Sequence, residues 1–150
     1  MKYAIVFPGQ GSQSLGMLSE LAENFPIVKD TFTEASDTLG FDLWKLTQED
    51  QEGLNQTQNT QPAMLAAGVA TYRALTSETE LSPICMAGHS LGEYTALVAS
   101  DSLGFSDGIK LVRTRAELMQ SAVPAGVGAM AAILGLEDEV VVKVCADYAG

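Results

Sequence analysis

Short apolar runs alternate with longer segments of helical periodicity along the first two thirds of the chain. Residues 3–7 and 84–87 are uninterrupted apolar runs with the length of a buried strand. Helices are predicted at 17–24 and 27–39, and another after Pro62 with apolar positions at Met64, Leu65, Val69, Tyr72 and Leu75. This alternation predicts an α/β fold with a parallel sheet.

The segments between these elements are polar or glycine-rich. Residues 8–14 form a glycine-rich loop after the first predicted strand, and the polar stretch 47–59 is predicted to be a linker. A helix-forming run at 93–99 follows the second strand. Ser106 or Asp107 is expected to cap the next helix, which runs to about residue 123.

The last part of the chain differs in character. After a break at Pro124-Ala125-Gly126, residues 128–135 are predicted to form a strand and 137–148 an amphipathic helix. One strand and one helix bury too little apolar surface to be stable alone. We therefore predict a main α/β subdomain at residues 1–124 and, at 125–150, the start of a smaller subdomain inside which the chain stops.

Composition and charge narrow the classes of protein. The chain has 150 residues, of which 47% are hydrophobic and 18% charged, as expected for a folded globular domain. Its net charge of −11 and the lack of a basic cluster oppose nucleic-acid binding. The apolar run at 3–7 is too short for a membrane span or a secretory signal. We therefore expect a cytoplasmic protein without a nucleic-acid or membrane partner.

The two cysteines are far apart in the sequence. Cys85 lies in a predicted buried strand and Cys145 in a predicted helix, and neither belongs to a C-x-x-C motif. We predict two buried free thiols and no metal site.

Ser90 lies in the pentapeptide Gly88-His89-Ser90-Leu91-Gly92, between a predicted strand and a predicted helix. This arrangement is typical of a nucleophile elbow, in which small flanking residues leave the serine hydroxyl exposed on a sharp turn. The N-terminus of the following helix offers backbone N–H groups, beginning with Leu91, to an oxyanion. An ordinary glycine-flanked turn is the alternative.

The loop Gly9-Gln10-Gly11-Ser12-Gln13 is a second candidate site. Phosphate binding is disfavoured, because the Walker lysine is absent and position 14 is Ser where a dinucleotide motif has Gly. The glycines instead allow the backbone to approach the Ser90 turn and present the Gln10 amide to an oxyanion. A purely structural turn is the other interpretation.

Two arginines on one predicted helix differ in their surroundings. Arg115 shares helical spacing with apolar residues, namely Leu111, Leu118 and Met119. A guanidinium on such a face needs an anion, which is either a buried carboxylate of the protein or a ligand. Arg113 has Glu117 four residues on and is predicted to be solvated.

A general base is not marked in the sequence. His89 is the only histidine, and as the neighbour of Ser90 it is poorly placed to accept its proton. Gln61 precedes Pro62, so it is predicted to lie at the N-cap of that helix, facing the sheet edge.

The motifs around these residues, in chain order, resemble those of the malonyl-CoA:acyl carrier protein transacylase family. They are Phe7-Pro8-Gly9-Gln10-Gly11-Ser12-Gln13, Thr60-Gln61-Pro62-Ala63, Gly88-His89-Ser90-Leu91-Gly92-Glu93-Tyr94, and Arg115 with Met119-Gln120. The resemblance implies that Ser90 takes a malonyl group from coenzyme A and passes it to the phosphopantetheine thiol of acyl carrier protein, in fatty acid biosynthesis. No cofactor is implied, since the coenzyme A thioester is the substrate.

The same resemblance assigns roles to the candidate residues. Gln10 and Leu91 are implied to donate backbone hydrogen bonds to the oxyanion, and Arg115 to pair with the malonyl carboxylate. The other implied substrate-binding residues are Gln61, His89 and Gly9.

The resemblance also implies an α/β-hydrolase-like parallel sheet with helices, the chain ending inside a small ferredoxin-like subdomain. Members of the family are about twice as long and carry their catalytic histidine downstream of the part that this chain resembles. We expect the full-length protein to be a monomer. Two alternatives stay open: a serine esterase or thioesterase with the same elbow, and a non-catalytic half that binds acyl carrier protein.

Overall fold

Two parallel strands and eight helices make up the part of the chain that the structure, a computed structural model, describes: residues 2–122, 127 and 133–147. Their bounds, in chain order, are β1 Ala4–Phe7, α1 Ser19–Asn24, α2 Pro26–Leu39, α3 Leu43–Glu49, α4 Gln51–Asn55, α5 Thr57–Glu78, β2 Cys85–Gly88, α6 Leu91–Ala99, α7 Phe105–Ser121 and α8 Asp138–Asp147. The fold is mixed α/β, as the sequence predicts. None of the helices within these residues combines the length and the apolarity needed to cross a membrane.

The two predicted strands pair side by side. They run parallel, with Ala4 opposite Cys85 and Phe7 opposite Gly88. Because the carboxyl ends of parallel strands lie at the same edge, the loop after β1 and the turn after β2 leave the sheet together. The backbone N–H of His89 extends the pairing by donating to the Phe7 carbonyl at 3.3 Å.

The prediction that these strands and both thiols are buried is wrong. Phe7 is buried, whereas Val6 is 74% exposed and Cys85 is exposed. Within the described residues each strand has an unpaired edge, so its side chains are covered from fewer sides than in a wide sheet. Cys145 is exposed because α8 buries none of its residues.

The core lies among the helices around α5. This helix packs against α2, α6 and α7, which enclose its apolar side chains. The core residues with no exposed surface include Val28, Phe32, Leu43, Leu54, Leu65, Ile109 and Val112. Helices α2 and α5 were both predicted from their apolar periodicity.

The polar stretch 47–59, predicted to be a linker, is mostly helical. It contains the end of α3, all of α4 and the start of α5. Asp42 and Asp50 cap α3 and α4, each accepting a 2.8 Å hydrogen bond from the backbone N–H three residues on. Leu54 is fully buried, so one apolar side chain anchors a segment that is otherwise polar.

Helix α5 also begins earlier than predicted. Because it starts at Thr57, Gln61 lies inside the helix and not at its N-cap. The predicted cap of α7 is likewise wrong, because Gly104 holds that position and no side chain caps the helix. Helix α7 ends at Ser121, close to the predicted 123.

The final segment is described only in part. The break at 124–126 and residues 128–132 of the predicted strand lie outside the described residues, and 133–135 have no regular secondary structure. Helix α8 coincides with the predicted helix at 137–148. The division into subdomains at residue 124 stays a prediction.

Candidate active site

Ser90 lies in the turn between β2 and α6 with φ 52° and ψ −107°. A positive φ is unfavourable for a residue that carries a Cβ, and such strained residues are concentrated at functional sites. The strand, the turn and the helix follow one another as the elbow prediction requires. The ordinary-turn alternative does not account for this strained serine at a strand-to-helix junction.

The flanking glycines are required by close backbone contacts. A Cβ on Gly88 would overlap the Gly92 backbone, and a Cβ on Gly92 would overlap the Phe7 carbonyl oxygen. These atoms belong to backbone, so they have little room to move aside. The elbow is therefore clamped between the end of β1 and its own helix.

The glycine-rich loop lies against the elbow. A Cβ on Gly9 would be 2.8 Å from the His89 carbonyl oxygen and 3.1 Å from His89 Nδ1, so only glycine allows this approach. Gln13 connects the loop to the end of α4. Its Oε1 accepts from the Gly11 N–H at 2.8 Å, and its Nε2 donates to Asn55 Oδ1 at 3.2 Å.

Two backbone amides at this junction, among those without an acceptor within the described residues, are the candidate oxyanion donors. They are the N–H groups of Gln10, one residue beyond the Gly9 contact, and of Leu91, the first residue of α6. The next amides of α6 are already bonded to carbonyls of the elbow. The N-terminus of α6 thus leaves the Leu91 N–H, one residue after Ser90, available as a donor to an oxyanion.

Arg115 reaches the serine from α7. Its Nη2 donates to Ser90 Oγ at 3.0 Å and its Nη1 donates to Gln61 Oε1 at 2.8 Å. The guanidinium carbon lies 5.6 Å from the centre of the Tyr94 ring, within cation–π range. The two ion pairs found among the described residues are formed by Arg73 and Arg113, so no carboxylate of these residues pairs with Arg115.

The face of α7 around Arg115 differs from the prediction. Its three apolar neighbours, Leu111, Leu118 and Met119, are exposed, with 65% exposure at Leu118. Helix α7 packs on the core through a different set, which includes Ile109, Val112 and Ala116. Arg115, which is half-buried, therefore borders an open surface beside Ser90 and not the core.

Gln61 is fully buried, with both ends of its amide engaged. Besides the bond to Arg115, its Nε2 contacts Met119 Sδ at 3.4 Å. An amide fixed in this way holds the Arg115 guanidinium in one orientation. Three predicted site residues, Gln61 of α5, Arg115 of α7 and Ser90 of the turn before α6, thus meet in one hydrogen-bonded chain.

A general base for Ser90 is not found in the described part of the chain. The side-chain hydrogen bond to its hydroxyl comes from Arg115, which is a donor and cannot accept the proton. His89 Nδ1 lies against Gly9. The described part of the chain also contains no group of three or more His, Cys, Asp and Glu side chains that could hold a metal ion.

Comparison with known proteins places the chain in a family. The acyl transferase domain matches residues 4–148. The chain belongs to this family. The malonyl CoA-acyl carrier protein transacylase of Haemophilus influenzae is 57% identical over 146 residues, 96% of this chain and 47% of that protein. The protein of the same name from Escherichia coli K12 is 53% identical over 149 residues, 99% of this chain and 48% of that protein.

Solved acyltransferase structures share the fold. A malonyl CoA-acyl carrier protein transacylase from Coxiella burnetii has a TM-score of 0.94 and 51% identity, covering 98% of this chain and 47% of that one. A malonyl-transacylase in complex with a type II PKS acyl-carrier protein has a TM-score of 0.93 and 53% identity, covering 99% and 48%. The chain thus spans about half the length of the relatives it matches.

Sequence reasoning missed the contacts of two residues near the candidate site. The Tyr94 ring contacts the Arg115 guanidinium. Tyr94 lies four residues after Ser90, so helical spacing could have indicated a position near the serine. Arg113 was predicted to be solvated, and its pairing with Glu117 is confirmed. The solvation prediction is nevertheless wrong, because Arg113 also donates to the Gln58 carbonyl and to Asn59 Oδ1.

Proposed function

We propose that this chain provides the nucleophile, the oxyanion donors and the carboxylate anchor of a malonyl-CoA:acyl carrier protein transacylase of fatty acid biosynthesis. The observation that carries the proposal is the contact of Arg115 with Ser90, an anion-binding group beside a nucleophile. Support comes from relatives named malonyl CoA-acyl carrier protein transacylase, which are 53–57% identical to it.

The first half-reaction uses Ser90. Its Oγ attacks the thioester carbonyl carbon of malonyl-CoA, forming a C–O bond and a tetrahedral oxyanion. The oxyanion then collapses, the C–S bond breaks, and coenzyme A leaves with the proton that a general base has taken from Ser90. A malonyl ester of Ser90 remains.

The oxyanion is stabilised by the amides of Leu91 and Gln10. Both lack an acceptor within the described residues, and the Gly9 contact keeps the loop against the elbow. Donors that are already in place need no reorganisation when charge develops, which is why such groups contribute strongly to catalysis.

Arg115 selects the acyl group. A planar guanidinium binds a carboxylate through two parallel hydrogen bonds, and the malonyl group carries a carboxylate two carbons from its thioester. Gln61 keeps the guanidinium oriented while Nη2 turns from Ser90 Oγ to the substrate. Removal of this donor also leaves the Ser90 lone pairs available for attack.

The second half-reaction reverses the first with another thiol. The phosphopantetheine thiol of acyl carrier protein attacks the malonyl ester, and Ser90 is regenerated. A malonyl-transacylase of similar fold has been solved with its acyl-carrier protein, which supports this partner.

We extend the proposal to the remaining features. The sheet is α/β-hydrolase-like, residues 1–124 form the main subdomain, and 125–150 begin a ferredoxin-like one. The protein is cytoplasmic and monomeric at full length, and it needs no cofactor besides the thioester substrate. The general base belongs to sequence beyond the described residues.

An esterase or thioesterase is the nearest competitor, because it uses the same elbow. Such an enzyme does not need an arginine 3.0 Å from the nucleophile, whereas an enzyme that takes a dicarboxylic acyl group needs a cation to bind the second carboxylate. A non-catalytic half that binds acyl carrier protein predicts binding without any acyl-serine.

Intact-protein mass spectrometry tests the proposal. Protein expressed from the uninterrupted native gene is measured before and after malonyl-CoA, with Ser90→Ala as the control. We expect a malonyl adduct that maps to Ser90 and is absent from the variant. A wild-type protein that stays unmodified but binds acyl carrier protein would instead establish the non-catalytic binding half. Rapid hydrolysis of malonyl-CoA without transfer to acyl carrier protein would establish the thioesterase.

A further inference from the structure

Arg113 links α7 to the first turn of α5. Its Nη1 donates to the Gln58 carbonyl at 3.2 Å and to Asn59 Oδ1 at 2.8 Å. Its Nε pairs with Glu117 on its own helix. A half-buried side chain with three acceptors is held more firmly than a solvated surface arginine.

Pro62 explains why the Gln58 carbonyl accepts from a side chain. Inside a helix the N–H of residue 62 would bond to the carbonyl of residue 58, but proline has no N–H. Arg113 supplies the missing donor from another helix. Asn59 is nearly fully buried and its Nδ2 is bonded to the Gly53 carbonyl, so its Oδ1 is directed to Arg113.

The hydrogen bonds of Arg113 lie next to the hydrogen bond between Arg115 and Gln61, which positions the proposed carboxylate anchor. Arg113 and Arg115 are two residues apart on α7, and each donates to α5: Arg113 at residues 58 and 59, Arg115 at Gln61. A shift of α7 along α5 would break both sets of bonds together. The first link therefore fixes the register in which Arg115 meets Gln61 and Ser90.

We propose that Arg113 is a positioning residue, which caps the carbonyl freed by Pro62 and thereby sets the place of the Arg115 guanidinium for a dicarboxylic acyl group. This inference rests on the proposed function. It makes selectivity between acyl groups depend on a residue that does not touch Ser90, because only the carboxylate-bearing substrate uses Arg115.

The test compares malonyl-CoA with acetyl-CoA, which lacks the carboxylate. Rates of Ser90 acylation are measured with full-length protein from the native gene, as wild type, Arg113→Met and Arg113→Lys. Arg113→Met keeps an apolar stem but has no donor. We expect it to lower kcat/KM for malonyl-CoA by about tenfold or more relative to acetyl-CoA, since small misplacements of a binding group are costly. Arg113→Lys should restore part of the ratio.

Arg73→Met is the matched control. Arg73 lies on α5, donates to Thr31 and Glu34, and lies 4.8 Å from the centre of the Phe105 ring. Its loss removes a comparable network without a bond to the site, so the malonyl-to-acetyl ratio should stay unchanged. An unchanged ratio in Arg113→Met, or an equal fall in Arg73→Met, would overturn the positioning role.

A double-mutant cycle tests the capping separately. In Pro62→Ala the backbone N–H serves the Gln58 carbonyl, so Arg113→Met should shift the urea midpoint less than it does beside Pro62. Equal shifts in the two backgrounds contradict the cap. If wild-type protein forms no malonyl ester, the proposed function fails, and this cycle still decides whether Arg113 caps α5.

Discussion

Arg115 Nη2 and Ser90 Oγ are 3.0 Å apart, so one hydrogen bond joins the proposed carboxylate anchor to the proposed nucleophile. Neither residue is near the other in sequence, and the sheet edge and α7 bring them together. Under the proposed function, this arrangement makes the charge of the substrate part of the activation of Ser90. A carboxylate that draws the guanidinium away leaves the hydroxyl available, whereas a neutral acyl group does not.

Replacing Arg115 with Ala should therefore act on substrates unequally. A hydrogen bond to a charged group contributes about 1.5–3 kcal/mol, so malonyl-CoA use should fall about tenfold to a hundredfold. Acetyl-CoA use should be retained or rise, because the variant frees the Ser90 hydroxyl that a neutral acyl group leaves bound to Arg115. Acylation rates with both thioesters measure the difference, and Arg115→Lys should be intermediate because an ammonium cannot form the two parallel bonds. Equal losses on both substrates would refute the anchor role.

Gln61→Glu should prevent Arg115 from binding the substrate carboxylate. The new carboxylate would lie where Gln61 Oε1 accepts from Arg115 Nη1 at 2.8 Å, in a fully buried position. It would pair with the guanidinium in place of the substrate, so malonyl-CoA KM should rise by about tenfold while acetyl-CoA KM is retained. Gln56→Glu, at the exposed N-cap of the same helix, adds the same charge as a control. A KM that responds identically in both variants would exclude a local pairing.

Local signals predicted the elements that form the candidate site. The elbow could be predicted because its constraint is steric and local: two glycines, a serine and the change from an apolar run to a helix-forming one. The same holds for β1, α2 and α5, whose apolar patterns are long or uninterrupted. The caps of α3 and α4 were harder to predict: they are Asp42 and Asp50, and Asp50 lies within the polar stretch 47–59 that was predicted to be a linker.

Tertiary contacts explain what could not be predicted. The burial of Gln61 and the exposure of Leu118 depend on which face of α7 meets α5, and the spacing around Arg115 does not decide this. The Arg113 link requires the Gln58 carbonyl, which Pro62 leaves without a helical donor. Arg113 is 55 residues away from Gln58 in the sequence. Burial of the strands depends on neighbours of the sheet, which no single strand encodes.

The backbone at Ser90 predicts a conflict between stability and function. Non-glycine residues in such conformations are strained by about 1–3 kcal/mol, more than the entropy that glycine adds to the unfolded chain. Ser90→Gly should therefore be more stable than Ser90→Ala by about 1 kcal/mol, and both should be inactive. Urea unfolding of the two full-length variants measures this. A glycine variant less stable than the alanine variant would mean that the serine conformation carries no strain.

Gly92→Ala should destabilise the protein although it replaces glycine in a helix. Helix propensity alone predicts a gain of about 1 kcal/mol for this change in α6. The new Cβ, however, would overlap the Phe7 carbonyl oxygen, and backbone displacement should cost about 3 kcal/mol or more. The sign of the measured change in unfolding free energy thus decides between the two effects. Gly104→Ala is the control: its nearest contact would be Asp107 Oδ2 at 3.6 Å, so only the N-cap preference is lost, about 1 kcal/mol or less. Because Gly92 separates the elbow from β1, its loss should also abolish Ser90 acylation, while Gly104→Ala should retain it.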